Sequence, residues 1–254
     1  MQRIFIPVDN DQSIAALIFA PESGPRGAVA VCHGFRGAKE NSGKICAFAG
    51  KLTARGLMVI AFDFRGSGES SGEFSAITLS QQVEDLKQVC AYINSRYQLS
   101  LVLLGRSFGG ATVIAAAPHV PEASGYVLWS APFDLPRSFA RLLGDDYQRL
   151  LNGASVICSD LESCFELRPD LVLDFKRHDM AGSLMAMRGK PVLVVHGRED
   201  EAVGIENAQE IATHLPEAVL HLVAGADHRF TGMVEQREAI TLDWIDEHFG
   251  ENRF

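Results

Sequence analysis

Six short, near-continuous apolar runs, separated by longer stretches of helical period, constrain the fold of this chain more than any other feature. They are Ala28 to Cys32, Met58 to Phe62, Leu101 to Leu104, Gly125 to Trp129, Pro191 to Val195 and Ala218 to Val223. A strand with no polar residue for either face must be covered on both, which is the condition of a mostly parallel sheet between two helical layers. Between the runs, Ile45, Phe48, Ala49 and Leu52 stand at i, i+3, i+4 and i+7, and Val83, Leu86, Cys90 and Ile93 form a similar stripe. Both predict amphipathic helices. Met233, Ile240 and Trp244 predict a last helix with these three on one face, Trp244 as core packing. The opening differs: Arg3 to Val8 and Ser13 to Ala20 flank Asp9-Asn10-Asp11-Gln12, which predicts an antiparallel hairpin at one sheet edge.

The rhythm breaks between Phe133 and Arg188, a connection far longer than the usual few residues. Its mixture of Phe139, Tyr147, Phe165 and Phe175 with many charges predicts a small helical cap over one end of the sheet, facing substrate. No repeat or linker divides the chain, so residues 1–254 are expected to form one domain with 133–188 inserted in it.

Composition narrows the function classes. The formal charge of −9, with no basic cluster to offset it, argues against a nucleic-acid partner. No apolar run approaches the ~18 residues of a spanning helix, and the first ten residues lack a secretory pattern. A cytoplasmic protein with no membrane partner is expected. Five cysteines, at positions 32, 46, 90, 158 and 164, are an odd number without metal-ligand spacing, so buried free thiols and no metal are expected.

GxSxG occurs twice, at Gly68-Glu69-Ser70-Ser71-Gly72 and at Gly105-Arg106-Ser107-Phe108-Gly109. A nucleophile elbow needs a buried strand immediately before it and a helix immediately after, because the serine sits on a tight strained turn. Only the second copy qualifies: Leu101 to Leu104 supplies the strand, and Ala111 to Ala117, stopped by Pro118, supplies the helix. Ser70 reads as part of a glycine-rich loop. A serine hydroxyl is a weak nucleophile without a base to take its proton. Of eight histidines, His228 follows the last apolar run and reaches the same sheet edge as Ser107. Asp200 follows the run ending at Val195 and suits the acid that orients an imidazole, although Glu199 and Glu201 beside it leave a swap open. The oxyanion donors are expected to be the backbone N–H groups of Phe108 and of Phe35, the latter in the turn after Cys32-His33-Gly34. His33 reads as a brace for that turn. Asp63 and Arg65, in Asp63-Phe64-Arg65-Gly66-Ser67-Gly68-Glu69-Ser70, read as holding loop backbone. No phosphate-binding glycine motif follows a strand, so no cofactor is expected.

Together the His33-Gly34-Phe35 turn, the Asp63 to Ser70 loop, the Ser107 elbow, His196-Gly197-Arg198-Glu199-Asp200 and Asp227-His228 resemble the α/β-hydrolase superfamily of serine esterases, and among them the cinnamoyl and feruloyl esterase group. The resemblance covers nearly the whole chain. It implies an α/β-hydrolase fold with a mostly parallel eight-stranded sheet and an inserted cap, hydrolysis of a small-molecule carboxylic ester through an acyl-enzyme, and no metal. Arg106 departs from it, since relatives commonly carry histidine or another residue there. Peptidase, thioesterase and lactonase chemistry use the same machinery, and a non-catalytic binding protein on the scaffold is the rival from another class. The oligomeric state, a homodimer included, is open.

Overall fold

The computed structural model describes residues 1–9, 11–159 and 164–250; Asn10 of the first turn, positions 160–163 of the insertion and 251–254 lie outside the described residues. Ten strands and nine α-helices are described: β1 Gln2–Pro7, β2 Ser13–Phe19, β3 Gly27–Cys32, α1 Ile45–Thr53, β4 Leu57–Phe62, α2 Leu79–Tyr97, β5 Leu101–Arg106, α3 Phe108–Ala116, β6 Ala123–Trp129, α4 Leu135–Leu143, α5 Asp145–Leu151, β7 Val156–Ser159, β8 Cys164–Leu167, α6 Asp170–Asp174, α7 Met180–Met185, β9 Val192–Gly197, α8 Glu206–His214, β10 Val219–Val223 and α9 Val234–Phe249. Eight strands form one sheet in the order β1-β2-β4-β3-β5-β6-β9-β10. β1 pairs antiparallel with β2, and β2 with β4; every other pair in that sheet is parallel.

Alternation along each strand sorts its side chains between two cores. Ala28, Ala30 and Cys32 of β3 join the core under α2 and α3, whereas Val29 joins the core under α1 and α9. The same parity sends Leu101 and Leu103 of β5 to the first core and Val102 and Leu104 to the second. Helix α2 begins where Thr78 accepts the N–H of Gln81 at 3.0 Å and ends at Gln98 in the left-handed region. Helix α3 has no polar face at all; all nine of its residues are buried. Pro118 lies in the 3-10 turn that follows it.

Four expectations need correction. The run at Ala218 to Val223 is an edge strand rather than a doubly covered one, with His221 exposed and only Val223 fully buried. In α9 the buried face carries Arg237, Thr241, Trp244 and Ile245; Met233 stands at the cap and Ile240 is only partly buried. The insertion is not purely helical, because β7 and β8 pair as a two-stranded antiparallel sheet. Of the five thiols, Cys32 and Cys90 are buried, but Cys46 and Cys164 are exposed and Cys158 is intermediate. Among the described residues, no helix is long and apolar enough to cross a membrane.

Candidate active site

Strand β5 ends at Arg106 and α3 begins at Phe108, so Ser107 is the single residue of the turn between them. Its φ of 52° and ψ of −125° form a backbone state that a residue with a Cβ rarely adopts. The surroundings hold it there. The Ser107 N–H donates to the Trp129 carbonyl at 2.8 Å, and the N–H groups of Gly110 and Ala111 donate to the Ser107 carbonyl at 2.7 and 3.2 Å. The crossing is too tight for a side chain at Gly109, where a Cβ would overlap the His33 carbonyl oxygen and stand 2.6 Å from that of Cys32.

Two further loops converge on this turn from the same end of the parallel strands, as α/β sheets arrange their sites. The loop after β9 is stitched to the loop after β10 by Arg198 N–H to Val223 O at 2.9 Å and Glu199 N–H to Ala226 O at 3.1 Å. Asp200 is thereby placed with Oδ2 2.9 Å and Oδ1 3.0 Å from His228 Nδ1, while His228 Nε2 lies 3.0 Å from Ser107 Oγ. A ring proton on Nδ1 donates to the carboxylate and leaves the Nε2 lone pair for the serine hydroxyl. The neighbouring acids are engaged elsewhere: Glu199 accepts the Gly225 N–H at 2.6 Å and Glu201 the His228 backbone N–H at 3.3 Å. Asp200 also accepts the N–H groups of Ala202 and Val203 at 3.0 and 2.7 Å. Burial works to raise its pKa, but the His228 ring and the Val203 N–H outweigh it and hold the carboxyl below its ordinary range.

Sequence reasoning gave no role to His196. It is fully buried, donates from Nε2 to the Val203 carbonyl at 2.7 Å and stands 3.3 Å from Asp200 Oδ2, so it fixes the loop that carries the carboxylate. Burial depresses its pKa. Its place at the end of a strand, four residues before Asp200, was the only signal available. Lys39 was also missed; its ammonium is buried and bridges Asp63 at 2.7 Å and Glu69 at 2.8 Å.

The charged loop after β4 is structural. Asp63 accepts the Lys39 N–H at 2.7 Å and the Glu69 N–H at 2.9 Å, tying this loop to the one after β3. Ser70, the serine of the other GxSxG, donates to the Asp63 carbonyl at 2.6 Å and accepts the Ala15 N–H at 2.8 Å. His33 accepts the Phe64 N–H at 3.1 Å on Nε2 and donates to the Gly34 carbonyl at 2.8 Å from Nδ1, which locks a neutral ring into the turn before Phe35. Phe108 is the first residue of α3, so its N–H has no carbonyl partner within the helix. Phe35 opens the turn closed by Gly37 N–H to Gly34 O at 2.9 Å, and its own N–H meets no acceptor among the described residues.

Ser107 and His228 open into a cleft of about 920 Å³. On the side of the insertion its wall is aromatic: the Phe35 ring lies 5.4 Å from Phe139, 6.2 Å from Phe165 and 6.4 Å from Phe108, edge to face in each case. The charged lining comprises Arg36, Lys39, Lys44, Arg106, Arg229 and Arg237 against one carboxylate, Asp146.

A family model, Hydrolase_4, described as "Serine aminopeptidase, S33", matches residues 23–172, more than half of the chain. Among solved structures, Est1E from Butyrivibrio proteoclasticus with bound ferulic acid superposes with a TM-score of 0.84 at 22% identity, covering 96% of this chain and 98% of its own. The esterase domain of a Rhodothermus marinus protein gives 0.73 at 22% identity, covering 97% and 98% respectively. The Pyrococcus furiosus esterase Pf2001 gives 0.73 at 20% identity, covering 97% and 91%. At these identities the structural likeness establishes the α/β-hydrolase fold, and the sheet order agrees with it.

Proposed function

The chain belongs to the Hydrolase_4 family of α/β-hydrolases, and from that premise we propose that it is a serine hydrolase of carboxylic esters, with Ser107 as nucleophile, His228 as general base and Asp200 as its orienting acid. The observation that carries this reading is the unbroken Asp200–His228–Ser107 hydrogen-bond chain, at 2.9 and 3.0 Å, ending on a serine at φ 52° between a strand and a helix.

In the proposed reaction, Ser107 Oγ attacks the ester carbonyl as its proton passes to His228 Nε2. The developing imidazolium is stabilised by Asp200, and the oxyanion by the N–H groups of Phe35 and Phe108. As the tetrahedral species collapses, the C–O bond to the alcohol breaks and His228 returns the proton to the leaving oxygen. Water then attacks the acyl-serine, giving its proton to the same nitrogen, and the acid departs as Ser107 regains its hydrogen. Residues 133–188 act as a cap in this reading, and the Phe35, Phe139 and Phe165 wall receives an aromatic or apolar half of the substrate, in keeping with the ferulic acid carried by one structural relative.

The family description raises an aminopeptidase reading. The cleft disfavours it, because a peptide's free ammonium needs carboxylates to anchor it, and among the charged lining residues only Asp146 is acidic. A panel of aryl esters, thioesters and aminoacyl amides, run against wild type and Ser107→Ala, tests the proposal. Expected is ester turnover that the Ala variant loses by about 10⁴ or more; full turnover in that variant, or amide cleavage preferred over ester, overturns it.

A further inference from the structure

The cleft continues past Ser107 on the side away from the aromatic wall, and there it is built of arginine. Arg106 has the strand parity of Val102 and Leu104, which face the α1 and α9 core, and Arg237 comes to the same place from α9. Arg237 is only 2% exposed. Its guanidinium carbon lies over aromatic rings, 4.1 Å from the Trp129 ring centre and 5.1 Å from that of Phe230, and the group forms no ion pair among the described residues. Its buried Nε, like that of Arg106, has no hydrogen-bond acceptor. Among the described residues, the Arg106 side chain makes one polar contact, a long one from Nη1 to Asn41 Oδ1 at 3.4 Å.

Buried guanidinium groups are ordinarily met by carboxylates, since an unpaired buried charge is costly. Here two guanidinium groups, Arg237 buried and Arg106 partly so, line one cleft without a carboxylate partner. Burial and then the charge of Arg106 lower the pKa of Arg237 to about 9, which leaves it cationic at neutral pH. Burial and then Arg229 act in the same direction on Arg106. The carboxylates nearest in their effect on Arg106 are Asp200 and Asp227. Neither pairs with it: Asp200 is held by His228, and Asp227 accepts the Thr231 N–H at 2.8 Å. Glu238, beside Arg237 in sequence, is taken by Lys51 at 2.7 Å. The chain carries a net charge of −9 and yet, among the described residues, places no carboxylate in an ion pair with either arginine of this cleft.

We propose that Arg106 and Arg237 form an anion subsite for a carboxylate or phosphate on one half of the ester, the other half lying on the aromatic wall. This rests on the serine-esterase reading and adds a substrate class to it. Planar guanidinium groups suit the oxygens of either anion, and an anion between them offsets their mutual repulsion. Arg237, pinned by Trp129 and Phe230, is preorganised and loses little freedom on binding.

Matched esters differing only in charge test this. The 4-nitrophenyl monoester of glutaric acid against its methyl ester places the charge in the acyl half. Cinnamoyl glycolic acid against its methyl ester, and the cinnamoyl ester of 2-hydroxyethyl phosphate, place it in the alcohol half and separate carboxylate from phosphate. In wild type at low salt, kcat/KM for the charged member of at least one set is expected to exceed the neutral one by about tenfold or more. Arg237→Gln and Arg106→Gln are each expected to bring that ratio to about one, with Arg237→Lys retaining part of it. Arg106 lies nearer solvent, so its variant carries the test if removal of the buried Arg237 prevents folding. No charge preference in any set, or a ratio indifferent to both substitutions, overturns the subsite. Turnover of the neutral esters by wild type and its loss in Ser107→Ala report separately on the serine reading.

Discussion

Asp200 is where the electrostatics of the site become a measurable property of the whole chain. Its carboxyl is held below the ordinary range in the folded protein, so its contribution to stability is complete above the unfolded-chain value of about 3.9 and is lost as pH falls through the lower folded value. Asp200→Asn is expected to lower kcat by about 10⁴. Its Tm is also expected to fall less steeply than that of wild type as the solution is taken from pH 5 to pH 2, read by circular dichroism. An equally steep fall in both proteins contradicts the assignment. At this scale the sequence was legible where chemistry and local structure coincide. Ser107 was separable from Ser70 because only one of them has a strand before it and a helix after it. Asp200 was not separable from Glu199 and Glu201, since which of three adjacent carboxylates meets an imidazole depends on how two loops are stitched together across 28 residues of chain. Arg237 was invisible: a charged residue on a helix reads as solvent-facing, and only the packing of α9 against Trp129 puts it inside.

Among the elements, the elbow depends on β3, β5 and α3 approaching almost to backbone contact at Gly109. Gly109→Ala is expected to push the turn of Phe35 away from the N-terminus of α3, separating the two proposed oxyanion donors. Overpacking of this kind costs about 1–3 kcal/mol, so Tm should fall by several degrees while kcat falls by about 10² or more. Loss of stability without loss of kcat contradicts the placement of those donors. On the insertion side, Phe165→Ala is expected to raise KM for cinnamoyl esters by several-fold while leaving KM for acetyl esters near its original value, since Phe165 packs edge to face against Phe35 and Phe74 at 6.2 and 5.7 Å. Most elements were legible because apolar runs and helical stripes repeat a simple period. The β7–β8 pair was not, since Val156 and Leu167 are its only fully buried residues and both strands are just four residues long.

The whole molecule is organised by one sheet with a core on each face, and the buried apolar residues of the insertion belong to the first of these cores rather than to one of their own. Phe139, Leu150, Leu167, Leu171 and Phe175 cluster with residues of α2, α3 and β5. A single cooperative unfolding transition is therefore expected, with near-ultraviolet and far-ultraviolet circular dichroism superimposable in urea; an earlier transition confined to the aromatic signal contradicts an insertion folded as part of the domain. The parallel sheet was the most legible feature of the sequence, because doubly covered strands leave no place for polar residues. β10 broke that rule as an edge strand, its position set by which strand arrives last and not by its composition. The claim on which the rest depends is that Ser107, rather than any other hydroxyl, carries the covalent chemistry. Reaction with a fluorophosphonate, followed by intact-mass and peptide analysis, tests it most directly. One adduct per chain on the peptide containing Ser107, absent in Ser107→Ala, is predicted; an adduct on Ser70 or elsewhere, or undiminished labelling of the variant, contradicts it.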